Sequence, residues 1–356
     1  MPGEMRRGFT AFGGFLACGL ALAACGGSGG SGTVATSPSG ASKVLAQSHQ
    51  AGNLKATASA PPAVANLAGA TNPKASEFPP VAGRSLKQLA RLIKATAQLG
   101  GGGQAFTPGV SRYAFALTDR ANRFIYGPTA LYITTNLDGP AQGPFLAPAD
   151  SLSVPKQYRS NENDGPGGLK AIYDANIPVP RSSVYYLLSL TRVGNHLIGA
   201  AGQVAVAQKI PIPGVGQRPP AIATDTAASV HGNISLATTR KPPENMHSVS
   251  FNQVLGKRPA VLLFSTPELC TSRVCGPVTD IMVMLQHEFG NRLTFIHQEI
   301  YVNNEPNRGL RSQLKAFHLE TEPWLFTVNQ KGVIAARLEG VFGVDEARAA
   351  VQAALR

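Results

Sequence analysis

Two cysteines, Cys270 and Cys275, sit in a turn-rich stretch with four residues between them, and their thiols are the most reactive groups the chain offers. Just before them Val261, Leu262, Leu263 and Phe264 form a consecutive apolar run, which predicts a short strand buried on both faces. Just after them Gly276-Pro277 opens a segment in which Val278, Ile281, Leu285 and Phe289 recur at helical spacing. Cys275 is thereby expected at a helix N-terminus. The unpaired N–H groups and the macrodipole there favour negative charge, so the pattern predicts a thiol acidic enough to be a thiolate near neutral pH. Thiolate chemistry means exchange with disulfides or ligation of soft metals.

The elements that must hold this loop are legible on both sides of it. Ser250 caps a short helix over 250–255, followed by the strand at 261–264 and the helix over 278–289. A second strand is expected over 293–301, LTFIHQEIY, and a helix over 308–319 with Leu310, Leu314 and Phe317 on one face. Thr321 to Phe326, a strand at 333–338 and a helix at 345–355 after Gly343 complete an α-β-α-β-α-β-β-α order.

In this order, with Cys275-Gly276-Pro277 after a central strand and Pro323 ahead of a late one, residues 246–356 resemble the thioredoxin superfamily. More closely, the Cys-x4-Cys spacing followed by Gly-Pro is similar to exported thioredoxin-like proteins of high-GC Gram-positive bacteria. The family's turn usually reads Cys-Gly-Pro-Cys, and Val278 stands here in place of its second cysteine. The family also carries a cis-proline opposite the cysteines, and Pro323 occupies that place. A cis bond lets the preceding residue present its backbone to an extended thiol-bearing substrate. The resemblance implies an α/β thioredoxin-like domain and thiol–disulfide exchange with exported protein thiols. In that scheme Cys275 attacks, Cys270 resolves, Pro323 shapes the groove, and no cofactor is required.

Other readings of the same residues stay open. Pro267 and Thr271 fit a peroxiredoxin-type Pro-x-x-x-Thr spacing, but Cys275 comes one residue late. Copper-delivering relatives use Cys-x3-Cys with a distant histidine, for which His297 and His318 are candidates. Two cysteines in an exported domain also form plain structural disulfides, which would leave a non-enzymatic envelope binding module. Glu268 and Arg273 are near the thiols in sequence, Arg273 as a stabiliser of the Cys275 thiolate. Trp324, the chain's one tryptophan, is expected to pack beside the loop, and His287 on a helix surface.

The rest of the chain sets the compartment. Arg6-Arg7 precede an apolar segment ending Leu22-Ala23-Ala24-Cys25-Gly26, which predicts a signal peptide over 1–24 and a lipobox with Cys25 as the lipidated N-terminus. Residues 25–83 are rich in Gly, Ser, Ala, Thr and Pro and predict a flexible tether from the membrane, on the extracytoplasmic face. Over 84–100 Leu86, Leu89, Ala90, Ile93 and Ala97 oppose Lys87, Arg91 and Lys94, an amphipathic basic helix with a Ser85 cap. Residues 108–209 carry β-branched and aromatic runs at 113–117, 130–134, 184–190 and 203–207, which predict an all-β immunoglobulin-like sandwich with a long loop over 147–180. That domain holds no cysteine and no catalytic triad, so it reads as a binding or spacer module. Its tyrosines read as core. Residues 210–245 are a proline-rich linker.

Over 356 residues the net charge is +12, with 38 Gly and 27 Pro. A basic chain favours nucleic acid or anionic lipid and cell-wall polymer. The export signal, with no long basic run and no basic-aromatic alternation, argues against nucleic acid as a partner. No phosphate loop, dinucleotide fingerprint or serine-hydrolase elbow occurs. The oligomeric state is left open.

Overall fold

Period-two alternation of apolar residues dictates most of what lies between 95 and 206. The computed structural model describes residues 66–101, 103, 105–163 and 168–356, all within one compact unit. The expected signal peptide, the lipidation site Cys25 and the first part of the tether lie outside the described residues. None of the described helices is long and apolar enough to cross a membrane.

The chain is mixed α/β and strand-rich, with three sheets. Two short helices, α1 (Leu67–Ala70) and α2 (Leu86–Ala90), lead into strands β1 (Ala95–Thr96), β2 (Gln98–Gly101), β3 (Gly109–Thr118), β4 (Thr129–Thr134), β5 (Gln142–Leu146), β6 (Ala149–Ser151), β7 (Ala171–Val179), β8 (Ser183–Val193) and β9 (His196–Val206). They form one sheet of order β1-β9-β8-β4-β5 and another of order β2-β3-β7-β6. Both contribute to a single core that includes Phe115, Leu131, Tyr173 and Leu187. The tyrosines are core, as expected: Tyr126 and Tyr173 lie 6.3 Å apart, and the Tyr132 hydroxyl donates to the Pro79 carbonyl at 2.6 Å.

Three sequence expectations are corrected here. The helix over 84–100 stops after Ala90. Its Ser85–Gln88 capping box forms, but from Lys94 the backbone pairs with β9, Lys94 N–H donating to the Leu197 carbonyl at 2.8 Å. Tertiary pairing overrides the helical period. The long loop over 147–180 contains β6 and β7. In β7 the alternation AIYDANIPV is intact, but Asp174, Asn176 and Pro178 at its outward positions disguise it. The tether ends before 83: Ala70 and Phe78 are buried, Phe78 in a cluster with Leu86 and Tyr132.

The C-terminal part has the expected element order: α3 (Phe251–Val254), β10 (Ala260–Phe264), α4 (Cys275–Phe289), β11 (Thr294–Gln298), α5 (Ser312–Phe317), β12 (Trp324–Val328), β13 (Ile334–Glu339) and α6 (Val344–Ala353). The sheet order is β11-β10-β12-β13, with β10 parallel to β11 and antiparallel to β12. Every residue of β10 is buried because both faces are covered. Val261 and Leu263 pack with Ile281, Leu285 and Val351 of α4 and α6, while Leu262 and Phe264 pack with Phe251 and Phe317 of α3 and α5. The α4/α6 cluster continues into the β unit through Ala114, Leu152 and Ile172.

The stretch expected as a linker is a strap bound to this sheet. Ile212 and Ile222 pack on the α3/α5 side, and Ile334 N–H donates to the Gln217 carbonyl at 2.9 Å. At its end Arg240 Nε donates to Asp280 Oδ1 of α4 at 2.9 Å, with both side chains almost fully buried. Ser160 of the β unit donates its N–H at 2.9 Å and its hydroxyl at 3.1 Å to the other carboxylate oxygen, and Arg240 Nη2 reaches the Tyr158 carbonyl at 2.8 Å. Strap, β unit and α4 therefore meet on one carboxylate. Removing one partner of a buried pair leaves an uncompensated charge, so Arg240→Ala is expected to lower the unfolding free energy by about 3–5 kcal/mol, measured by urea denaturation of the full chain.

Candidate functional site

The buried strand β10 ends at Phe264 and delivers the chain into the cysteine loop, which closes when Cys270 N–H donates to the Thr266 carbonyl at 3.1 Å. Phe264 pairs with Trp324 in the antiparallel register, so Glu322-Pro323 arrives at the same end of the sheet as the loop. The Glu322-Pro323 bond is cis, as expected for the late proline, and the Pro323 carbonyl accepts from Gly340 N–H at 2.8 Å. Close approach at the helix start also explains Gly276. A Cβ there would lie 3.0 Å from Cβ of Glu162, in the β-unit loop that packs over α4.

Both cysteines are free thiols, and their environments differ. Cys275 is the first residue of α4 and is completely buried, whereas Cys270 retains 6% exposure. The Cys270 sulfur accepts hydrogen bonds from the Cys275 thiol and from the amides of Cys275 and Val274, with the Ser272 hydroxyl 3.1 Å away. The Cys275 bond, more than the others, pushes the Cys270 thiol down to about 6 against the opposing effect of burial. Burial first, then the hydrogen bond to Cys270 and the charge there, pushes the Cys275 thiol well above its ordinary value. The expected acidic, attacking Cys275 is therefore corrected: its thiol is buried and resists ionisation, and the sulfur made acidic beside the helix N-terminus is that of Cys270.

Two groups that sequence reasoning missed complete the site. The Glu322 carboxyl is pushed up to about 7, by burial and then by the negative charge of Cys270. The Tyr301 phenol is pushed up to about 12, by burial and then by the charges of Glu322, Cys270 and Cys275. Glu322 had a signal in the sequence, since it directly precedes the late proline; Tyr301 had none beyond its strand-end position. A cleft of about 1110 Å³ between the β unit and the C-terminal sheet is lined by Ser272, Val274, Glu322 and Arg337, and by Val110 and Ile172 from the β unit.

Other candidates lie elsewhere. Glu268 pairs with Lys241 at 2.7 Å. Arg273 takes a left-handed conformation, φ 56°, with its side chain exposed, and is not among the groups acting on either sulfur. Trp324 is buried, stacked on Phe326 at 5.9 Å, and its indole N–H donates to Thr321 Oγ1 at 3.0 Å. His287 packs against Tyr158, and His318 caps α5 on the surface. His297 is buried against Glu244 and His247. Among the described residues, the metal-sized grouping of donor atoms is Glu244, His247 and His297, which includes neither cysteine nor His318. Compared with models of protein families and with curated proteins, the chain matches none.

Iodoacetamide alkylation of the reduced protein is expected to give a rate that rises with pH through a midpoint near 6 for Cys270, with Cys275 unreactive. In Cys275→Ala the thiol hydrogen bond is gone, and the midpoint is expected to move up by about one unit or more, each unit being worth ~1.4 kcal/mol. A midpoint unchanged by that substitution would remove Cys275 from the stabilisation of the thiolate.

Proposed function

We propose that this protein is an extracytoplasmic thiol–disulfide oxidoreductase, lipid-anchored through Cys25, with residues 246–356 as a thioredoxin-like domain and 108–209 as an immunoglobulin-like sandwich. The observation that carries the reading is the unequal dithiol: an acidic Cys270 held by the first turn of α4, backed by a buried Cys275 thiol that donates to it. A structural staple needs no such asymmetry. Exchange does, because one sulfur must attack as thiolate and the other must wait protonated.

In the reductive direction the Cys270 thiolate attacks one sulfur of a target disulfide. That S–S bond breaks, a mixed disulfide forms, and the first target thiolate leaves and takes a proton from solvent. The Cys275 thiol then loses its proton to the Glu322 carboxylate and attacks the Cys270 sulfur. The second target thiolate leaves, and the protein is left with a Cys270–Cys275 disulfide. Two electrons pass from the protein dithiol to the target. With a carboxyl near 7, Glu322 is divided between its two protonation states at neutral pH, which suits a proton acceptor for the forward step and a donor for its reverse. The cis Glu322-Pro323 segment bordering the cleft offers backbone to an extended chain carrying the target cysteine. A stabilised thiolate also favours the reduced protein, so the pair leans toward oxidising its partners.

Cys275→Ser should accumulate mixed disulfides with exported proteins, seen as thiol-sensitive bands on non-reducing gels, whereas Cys270→Ser should trap none. The reduction potential of the pair is expected above about −300 mV, the region of labile rather than inert bonds. A value well below that, with no trapped species from Cys275→Ser, would leave a structural disulfide and a binding module.

A further inference from the structure

Behind the dithiol runs a line of buried polar groups that the exchange reaction does not use. His297 of β11 is completely buried, with Nδ1 2.6 Å from Glu244 Oε1 and Nε2 2.9 Å from Ser265 Oγ. Ser265 Oγ lies 2.8 Å from Thr279 Oγ1, and Thr279 Oγ1 lies 2.7 Å from the carbonyl oxygen of Cys275. Each of these four contacts is short enough to require a hydrogen between its heavy atoms. A neutral imidazole and two hydroxyls supply one hydrogen each, one fewer than the contacts need.

The missing proton does not sit on Glu244. Its Oε1 faces ring nitrogens of both His297 and His247 at 2.6 Å, and its Oε2 accepts from Thr238 Oγ1 at 2.9 Å. Thr238 Oγ1 also accepts Arg240 N–H at 3.2 Å, and its own hydrogen goes to Glu244 Oε2. Two imidazole nitrogens and a hydroxyl surround this one carboxyl group, and the two rings hold it well below the usual carboxylate range despite burial, so Glu244 is the acceptor and the extra proton goes to His297. Resting on the redox reading above, we infer that His297 is a buried imidazolium and a positioning residue for the dithiol. Its Nε2–H, shared between Ser265 Oγ and the Ser265 carbonyl oxygen at 3.0 Å, starts a hydrogen-bond chain through Ser265 and Thr279 to the Cys275 carbonyl. That chain fixes the first turn of α4, whose amides hold the Cys270 thiolate.

The charges around the ring agree with this state. Glu244 is held well below the usual carboxylate range by His297 and His247 despite the opposing effect of burial, and the attraction of Glu244 and then Glu299 raises His297 against its own desolvation. The His247 ring, 5.4 Å away, is the other titratable neighbour. Fixing a hydrogen-bond direction is a role no neutral side chain at 297 fills, since the chain needs a donor at Nε2 while Nδ1 donates to Glu244.

Two measurements test the inference. The first is on the unmodified full chain: ¹⁵N spectra of histidine-labelled protein at pH 7 should show both ring nitrogens of His297 protonated. A neutral tautomer would overturn the inference, as would metal-shifted resonances that change on adding a chelator, because the Glu244, His247 and His297 donor atoms are also close enough to hold an ion. The second breaks only the last link. Thr279→Val keeps shape and leaves the His297–Glu244 pair in place, and should raise the alkylation midpoint of Cys270 enough to slow alkylation at pH 6 about threefold or more. Ser265→Ala should do the same. A lower melting temperature with an unmoved midpoint would make the chain merely structural. Trapping in the Cys275→Ser background tells the two proposals apart: mixed disulfides with an unmoved midpoint sink the positioning role alone, and their absence sinks the exchange reading.

Discussion

The constraint on which the rest depends is the complete desolvation of one sulfur. Cys275 occupies the first helical position of α4, where its side chain turns under the helix into the core while its backbone amide stays free. A buried thiol resists ionisation, and a free amide at a helix start seeks an anion. The loop back to Cys270 satisfies both demands with a second sulfur, which accepts the amides and the buried thiol together. One residue's burial thus makes the other's acidity. Four intervening residues suffice because the loop closes on itself through the Thr266 carbonyl and lets Arg273 adopt a left-handed turn before the helix.

Holding that arrangement requires a rigid floor, and the floor is polar to an unusual degree. Asp280, Glu244, His297 and Glu299 are all buried close to α4 or the end of β11. The strap supplies or holds all four: Arg240 meets Asp280, Thr238 meets Glu244 within the strap, Glu244 meets His297, and Thr239 N–H donates to Glu299 Oε1 at 2.7 Å. Buried charges in partly satisfied networks are costly, but well-satisfied ones specify a single arrangement. The strap is therefore part of the site's foundation rather than a spacer between two bodies. The β unit joins the same framework, since Arg112 of β3 donates to Glu346 of α6 and to the Glu339 and Val341 carbonyls at 2.7 and 2.6 Å.

What was legible in the sequence follows the same division. The continuous apolar run of β10 and the helical spacing after Cys275 express local and near-local demands, so strand, helix and cysteine loop fall where the pattern puts them. The cis-proline was legible through a resemblance at one position. The strands at β3, β4, β8 and β9 were legible through β-branched and aromatic runs. Lost to inspection were features set by distant partners. Lys94 to Gly101 carry a helical period but pair with β9 and β3, and the polar strap looks like a linker until its carboxylate partners are placed beside it. The acidity of Cys270 was unreadable for the same reason, being set by which sulfur the core swallows.

The polar atoms left without partners point back to the dithiol. Among the described residues four buried side-chain oxygens lack a hydrogen bond, and two of them, Thr266 Oγ1 and Glu299 Oε2, belong to residues around the cysteines. Thr266 supplies both its carbonyl to Cys270 N–H and its backbone amide to Cys275, and Glu299 is among the charges felt by Tyr301 and His297. An unsatisfied buried polar atom costs about 1–3 kcal/mol, so a pair of them is a large fraction of a domain's net stability. Sequences that otherwise satisfy every local rule tolerate such losses mainly where function needs them. What keeps the second sulfur protonated is its burial, then the hydrogen bond and charge of Cys270 and the charge of Glu322.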